Sequence, residues 1–275
     1  MRPTPVAVSS ERRGAGTPVV LVHGLGSRWQ VWSPILDRIA DAGLQVIAVD
    51  LPGFGGTAPV DGVTPGPPGY VAWLQEWLAA EGIERPHLVG NSMGGGIALE
   101  LGRAGVAASV TAFSPIGFWQ RPGLWWTQAL LTTLRAAGAV AGPPFSAALG
   151  TRLGRAVLLG PLFGRPTRVD PAEARADLAA LVAAPAFPQA RNNFADYHLS
   201  AADAPGALAA IPVTVAWGTR DVVLTHRTQS RRARAALPTA RHIDLAGCGH
   251  LPFNDDPDLC ARVVLDTVNE ECPWS

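Results

Sequence analysis

Short apolar runs recur along the chain, and each is followed within two residues by glycine, proline or aspartate. Longer segments of mixed polarity and helical character separate these runs. The apolar runs predict buried strands at residues 18–22, 44–49, 85–89, 108–113, 211–217 and 240–245. The intervening segments predict helices at about residues 29–42, 68–82, 93–104, 226–236 and 256–270. This alternation predicts an α/β fold, with a mostly parallel sheet covered by helices on both faces.

Residues 117–205 interrupt the alternation, first with aromatic side chains and then with repeated proline and glycine. Short helices fit between these breaks, at residues 126–141, 146–159 and 171–183. We therefore expect an inserted helical cap at 117–205, between a first core part at 1–116 and a second core part at 206–275. Most of the aromatic residues are expected to pack the cap onto the core, and Trp119 and Trp125 to line a substrate pocket beneath it.

The most informative motif is Gly90-Asn91-Ser92-Met93-Gly94, which follows a predicted strand and opens a helix of small residues. The serine of such a nucleophile elbow sits on a tight strand-to-helix turn, which projects its hydroxyl from the edge of the sheet. Its neighbours are glycines because the turn leaves no room for side chains. A chain with 30 glycines can match this pattern by chance, so the strand and the helix around it carry the interpretation.

A serine hydroxyl is a poor nucleophile at neutral pH and needs a base, with a third group to orient that base. In a parallel α/β sheet, catalytic groups lie at the carboxyl ends of the strands. His250 meets this condition, because it lies in a glycine-flanked loop beyond the last predicted strand. Asp221 meets it as the acid, since it follows strand 211–217 in a short loop with Gly218. Asp50 also follows a strand, and we interpret it as a residue that fixes its own loop.

Five motifs together carry a resemblance to a known family. They are His23-Gly-Leu-Gly26, Asp50-Leu-Pro-Gly53, Gly90-Asn-Ser-Met-Gly94, Trp217-Gly-Thr-Arg-Asp221 and Gly247-Cys-Gly-His250. In this combination and order the chain resembles the α/β-hydrolase superfamily, over about residues 17–116 and 206–270. The segment between them resembles the variable cap of that family by position and helical composition.

The resemblance implies an α/β-hydrolase fold in which Ser92 is the nucleophile, Asp221 the acid and His250 the base. It also implies an oxyanion hole made by the backbone N–H groups of Leu25 and Met93. A dehalogenase or epoxide hydrolase of this fold would carry an aspartate nucleophile in place of the serine. Those two activities are therefore disfavoured.

Composition narrows the function further. All 22 basic residues are arginine. Functions that need a lysine are therefore excluded, namely Schiff-base chemistry, pyridoxal phosphate anchoring, nucleotide binding by a Walker lysine and catalysis by a Ser–Lys dyad. The formal net charge is +0 and no basic stripe is present, so nucleic-acid binding is not expected. Neither a zinc-type Cys/His spacing nor a dinucleotide-binding glycine motif occurs, and we expect no cofactor and no metal. The expected partner is a small-molecule substrate, bound by a monomer or homodimer.

The cysteines and the apolar segments indicate where in the cell the protein is expected. Cys248, Cys260 and Cys272 are an odd number of cysteines and make no disulfide framework. The first ten residues lack an apolar stretch of signal-peptide length, and arginines interrupt the apolar segments of the cap, so stable membrane insertion is not expected. The chain is therefore expected to be cytoplasmic, and its bias toward Ala, Arg, Gly and Pro is typical of a GC-rich bacterial genome.

The predicted pocket has few ionisable groups, which favours a substrate with an apolar acyl or alkyl part. The leading function is hydrolysis of a carboxylic ester through an acyl-serine intermediate. Gly24, in the oxyanion loop, and Leu251, directly after the base, are expected to contact the substrate.

Three other functions would use the same residues. A carbon–carbon bond hydrolase of ring-cleavage products carries a similar elbow, with Asn91 holding the substrate and Arg191 as a candidate partner for its carboxylate. Those enzymes typically place a tryptophan after the histidine, where this chain has Leu251. An acyltransferase, thioesterase or ring-closing enzyme would share the site. A non-catalytic ligand-binding module would leave Ser92 silent, although such a module has no need of the complete set of groups.

Overall fold

The sheet has seven strands in the computed structural model, which describes residues 7–200, 203 and 205–270. The strands are β1 Ser10–Arg13, β2 Thr17–Val22, β3 Leu44–Val49, β4 His87–Asn91, β5 Ser109–Phe113, β6 Val213–Gly218 and β7 Arg241–Leu245. Their order is β1-β3-β2-β4-β5-β6-β7, with β1 antiparallel to β3 and the other pairs parallel. The predicted α/β fold class is confirmed, and β4, which leads into the elbow, lies at the centre of the sheet.

Residues of β2 alternate between two separate apolar cores, because successive side chains of a strand point to opposite faces. Val20 and Val22 pack into one core, whereas Val19 and Leu21 pack into the other, and all four are fully buried. A strand that is buried on both faces is apolar at every position, which is why a continuous apolar run predicts it. The carboxyl ends of the parallel strands consequently meet at one edge of the sheet.

Helices cover both faces of this sheet. They are α1 Ser33–Ala40, α2 Pro67–Ala80, α3 Met93–Arg103, α4 Arg121–Val140, α5 Gly142–Leu149, α6 Arg152–Leu158, α7 Pro171–Ala183, α8 Phe187–Asn192, α9 Arg231–Ala236 and α10 Pro257–Asn269. Helices α2, α3 and α9 contribute to one core, and α1 and α10 contribute to the other. The predicted helices 29–42 and 226–236 are not α-helical over their first residues. A 3₁₀ turn at Trp29–Trp32 precedes α1, and a π-helical turn at His226–Ser230 precedes α9.

Helices α4 to α8 all lie between β5 and β6 in the chain, within the segment predicted as a cap. A small apolar cluster holds several of them together, made by Leu149, Phe163, Val169 and Ala174. The predicted helix 146–159 is divided at Thr151, whose side chain accepts a hydrogen bond from the backbone N–H of Gly154 and starts α6. Threonine is a favoured residue at this position, because it satisfies a helix N–H that otherwise has no acceptor.

Strand β1 was not predicted, because its residues Ser10-Glu-Arg-Arg13 are polar and form the edge of the sheet. An edge strand of this kind carries no apolar run to reveal it. Residues 1–6 and Cys272, on which two of the sequence-based expectations depend, lie outside the described residues. Among the described residues, no helix has the length and apolarity needed to cross a membrane.

Candidate active site

Ser92 occupies a strained turn between β4 and α3, with φ of 56° and ψ of −114°. A non-glycine residue in this region costs about 1–3 kcal/mol, so the surrounding structure has to impose it. The two glycines of the motif make the turn possible. A Cβ atom on Gly90 would lie 2.1 Å from the carbonyl oxygen of Gly94, and one on Gly94 would lie 2.0 Å from that of Val22. The elbow predicted from the sequence is therefore present as a backbone geometry.

His250 and Asp221 are joined by a hydrogen bond of 2.8 Å between Nδ1 and Oδ2. The other carboxylate oxygen of Asp221 accepts from the backbone N–H groups of Val223 and Leu224, both at 2.9 Å. A carboxylate with these partners accepts only, so the histidine ring donates its Nδ1 proton and leaves Nε2 free to act as a base. Both side chains are almost fully buried.

Asp50 is the other candidate for the acid, and both of its carboxylate oxygens accept hydrogen bonds from backbone N–H groups of nearby loops. Its Oδ1 accepts from the backbone N–H of Trp29 at 2.6 Å, and its Oδ2 from that of Gly56 at 2.8 Å. The adjacent His23 is fully buried, which lowers its pKa. Its Nε2 accepts from the N–H of Leu51 at 3.0 Å, and its Nδ1 lies 2.7 Å from the carbonyl oxygen of Gly24. His23 is therefore neutral and shapes the glycine loop after β2.

That glycine loop passes directly beside the serine, since a Cβ atom on Gly24 would lie 3.0 Å from the Cβ of Ser92. Among the hydrogen bonds of the described residues, none uses the backbone N–H of Leu25 or that of Met93 as donor. Met93 is also the first residue of α3, whose amino end carries a partial positive charge. Leu25 lines the same cavity as Ser92, whereas Met93 is fully buried, and the oxyanion hole stays a prediction.

A cavity of about 100 Å³ connects these groups. Ser92 and His250 line it together with Gly24, Leu25 and Leu251. Four helices of the segment predicted as a cap supply most of the remaining wall, including Leu131 of α4, Leu149 of α5, Leu158 of α6 and Leu178 of α7. The cavity therefore has polar groups at the serine and an apolar wall made largely by the helices between β5 and β6.

Asn91 lines the same cavity, and the nitrogen of its side-chain amide is engaged. Its Nδ2 donates to the carbonyl oxygens of Phe113 and His250, both at 3.1 Å. The second bond ties the elbow to the backbone of His250. The Oδ1 atom of Asn91 is buried and has no hydrogen-bond partner among the described residues, so the expected contact of this side chain with substrate stays a prediction.

Three predicted substrate contacts, Trp119, Trp125 and Arg191, are not among the residues that line this cavity. Trp119 is buried and stacks on Phe194, with a distance of 5.4 Å between ring centroids. Trp125 is 68% exposed, and it shares an open groove along α4 with Arg191. The guanidinium of Arg191 donates to Oγ1 of Thr132 at 2.7 Å. Helix α4 thus lines the cavity with Leu131 and Leu134 and exposes Trp125 on another side.

The cavity has no built metal centre. Among the described residues, no group of three or more His, Cys, Asp or Glu side chains is arranged to hold an ion. Asp177 lines the cavity and is paired with Arg28, at 2.9 Å between Oδ1 and Nε.

Burial raises the pKa of Cys248, near the histidine, to about 11. The thiol is thus protonated at neutral pH and a poor nucleophile.

The fold and these groups define a hydrolase with a serine elbow, and comparison with known proteins agrees. The family model described as "Alpha/beta hydrolase family" matches residues 19–263. The chain therefore belongs to the alpha/beta hydrolase family, and the resemblance noted from its motifs is confirmed.

Individual relatives differ in how much of the chain they cover. An uncharacterised protein of Mycobacterium tuberculosis is 28% identical over 280 residues, covering 93% of this chain and 77% of its own length. The 2-hydroxy-6-oxo-2,4-heptadienoate hydrolase of Pseudomonas putida is 42% identical over 89 residues, or 31% of this chain and 32% of its own. The pimeloyl-acyl-carrier-protein methyl ester esterase of Aeromonas hydrophila is 41% identical over 96 residues, or 35% and 36%.

Solved structures share the whole fold. An esterase from Thermogutta terrifontis superimposes with a TM-score of 0.71 at 21% identity, covering 98% of this chain and 95% of the other. At that level of identity the likeness concerns the fold alone.

Proposed function

We propose that this protein is a serine hydrolase that cleaves carboxylic esters with an apolar acyl or alkyl part. The observation that carries the proposal is the cavity that joins Ser92 and His250 to the leucines of the predicted cap. Its polar end fits an ester group and its apolar part fits a hydrocarbon chain. The esterase among the relatives acts on a methyl ester according to its name, which supports the same class of substrate.

In the proposed mechanism, Nε2 of His250 takes the proton of the Ser92 hydroxyl as its oxygen attacks the ester carbonyl. Asp221 holds the ring in the tautomer that makes this possible. The N–H groups of Leu25 and Met93 stabilise the oxyanion. The histidine then gives its proton to the departing alcohol, leaving an acyl-serine that water hydrolyses by the same steps.

The carbon–carbon bond hydrolase is the second candidate, favoured by the partial match to the Pseudomonas putida enzyme. Its ring-cleavage substrates carry a carboxylate, for which Arg191 was the expected partner. That arginine lies in the groove outside the cavity. Among the described residues that line the cavity, the ionisable side chains are His250 and Asp177, and neither is a permanent cation. This arrangement supports the ester over the ring-cleavage product. Thioester cleavage and acyl transfer would use the same cavity.

Hydrolysis of p-nitrophenyl esters from short to long acyl chains tests the proposal. We expect turnover that improves when the chain is long enough to enter the cap, together with a covalent acyl adduct on Ser92 detectable by mass spectrometry. An enzyme that cleaves none of these esters but cleaves a ring-cleavage product would replace the proposal with the second candidate.

The apolar wall gives a further prediction about chain length. We expect Leu158→Trp to reduce kcat/KM for long acyl esters by at least about tenfold relative to the acetate, because one misfitting group in an apolar pocket changes binding by about 1–3 kcal/mol. Leu153→Trp is the matched control, since Leu153 lies on the same helix and is 76% exposed. Equal chain-length profiles for the two variants would mean that the acyl chain does not enter this part of the cap.

A further inference from the structure

Asp255 is a fully buried carboxylate that connects the cap to the loop carrying His250. Its Oδ2 accepts two backbone N–H groups, from Gly164 of the cap at 2.7 Å and from Gly249 of the histidine loop at 2.8 Å. Its Oδ1 accepts from the N–H of Arg165 at 2.6 Å. One side chain therefore holds two separate segments of the chain through charge-assisted hydrogen bonds.

The backbone around this carboxylate strengthens the connection. The carbonyl oxygen of Asp255 accepts from the guanidinium groups of Arg165 and Arg168, at 2.8 and 2.7 Å. The N–H of Leu251, directly after the histidine, donates to the carbonyl oxygen of Leu162 at 2.9 Å. The cap segment 162–168 is thus bonded to the loop on both sides of His250.

Glycines allow the two segments to approach this closely. A Cβ atom on Gly164 would lie 2.0 Å from the carbonyl oxygen of Gly247, and one on Gly249 would lie 2.6 Å from the nitrogen of Gly164. With no side chain between them, the two backbones move together or lose their hydrogen bonds.

We propose that Asp255 is a positioning residue that couples the seating of the cap to the position of His250. This inference rests on the proposed function, in which that histidine is the base. Asp255 is not part of the cavity wall and acts through Gly249, the residue before the histidine. Because Oδ2 is shared between the cap and the loop, a displacement of the cap weakens the bond that fixes the loop. A misplacement of about 1 Å at the reacting groups can cost about 10² in rate.

Asp255→Asn tests this coupling. The amide nitrogen of asparagine is a donor. It cannot replace Oδ2, which accepts two N–H groups, and it cannot replace Oδ1, which accepts the third. We expect kcat for p-nitrophenyl acetate to fall by about 10²-fold with little change in KM, since this short ester barely uses the cap. We also expect faster tryptic cleavage after Arg168 than in the wild-type protein, because the segment that carries it loses its fixed position.

Asp256→Asn is the matched control. It removes the neighbouring carboxylate, whose Oδ1 accepts from the N–H of Leu259 at 3.1 Å to start α10, and asparagine is an equally good residue there. We expect kcat and tryptic cleavage close to wild type. Equal behaviour of the two variants would overturn the inference, as would faster cleavage in Asp255→Asn with an unchanged kcat.

Two measurements separate positioning from a loss of folding. Activity is expressed per serine that reacts with a fluorophosphonate probe, so unfolded molecules are not counted. If Asp255→Asn does not fold, Arg165→Gln removes only one bond to the carbonyl oxygen of Asp255. It leaves the tryptic site after Arg168 intact and should give smaller changes of both kinds. No change in either quantity would overturn the coupling. Failure of the proposed function is distinguishable, because wild type would then lack esterase activity while the difference in cleavage persisted.

Discussion

Ser92→Ala is expected to lower kcat for p-nitrophenyl ester hydrolysis by about 10⁶-fold, the loss seen when a nucleophile is removed from a comparable set of groups. The reason is geometric as well as chemical. The serine sits on a backbone turn with φ of 56° at the edge of the sheet, and no other hydroxyl in the cavity lies at such an elbow. The variant should keep its far-ultraviolet circular dichroism, because alanine fits wherever the serine side chain fits.

Ser114→Ala serves as the control for this substitution. Ser114 is also buried and also has a positive φ, of 41°, at the end of the neighbouring strand. Its hydroxyl is outside the cavity wall, so activity within about tenfold of wild type is expected. Retention of more than a tenth of the activity by Ser92→Ala would contradict the assignment of the nucleophile.

Asp221→Asn is expected to lower kcat by about 10⁴-fold with the fold intact. The two N–H groups of Val223 and Leu224 would hold the asparagine oxygen where Oδ1 now lies. The amide NH₂ would then face Nδ1 of His250 and donate to it. The ring would carry its proton on Nε2, which could no longer accept the serine proton. The measurement is the pH-independent kcat of the variant.

Asp50→Asn provides the comparison that decides between the two carboxylates. Asp50 accepts from the N–H groups of Trp29 and Gly56, and none of its hydrogen bonds or ion pairs with described residues involves His250. We expect a lower thermal stability and a smaller loss of kcat than for Asp221→Asn. A greater loss of kcat in Asp50→Asn would reverse the assignment of the acid.

Prediction from the sequence succeeded where a local run of residues is compatible with only one kind of structural environment. Apolar runs such as Pro18–Val22 predict buried strands because both faces of the sheet are covered. Gly90 and Gly94 indicated the elbow because the turn excludes any side chain there. His250 and Asp221 follow strands whose carboxyl ends meet at one edge, and the structure joins them at 2.8 Å.

Other parts depend on contacts between distant segments, which a local pattern does not contain. Helix α4 has apolar residues around much of its circumference, so its sequence does not tell Leu131, which faces the cavity, from Trp125, which faces outward. Asp255 lies directly before Asp256, the aspartate that caps α10, so the sequence suggests a capping role for this pair. The actual partners of Asp255 include Gly164, which is 91 residues away.

The strained turn at Ser92 lowers the stability of the protein, although the proposed activity depends on the serine at this position. Glycine adopts a positive φ without strain, so a glycine at position 92 would relieve part of the roughly 1–3 kcal/mol held in this turn. The protein would become harder to unfold as it lost its nucleophile. A laboratory selection of this chain for heat resistance alone would therefore enrich inactive molecules, and a useful screen has to demand turnover at every round.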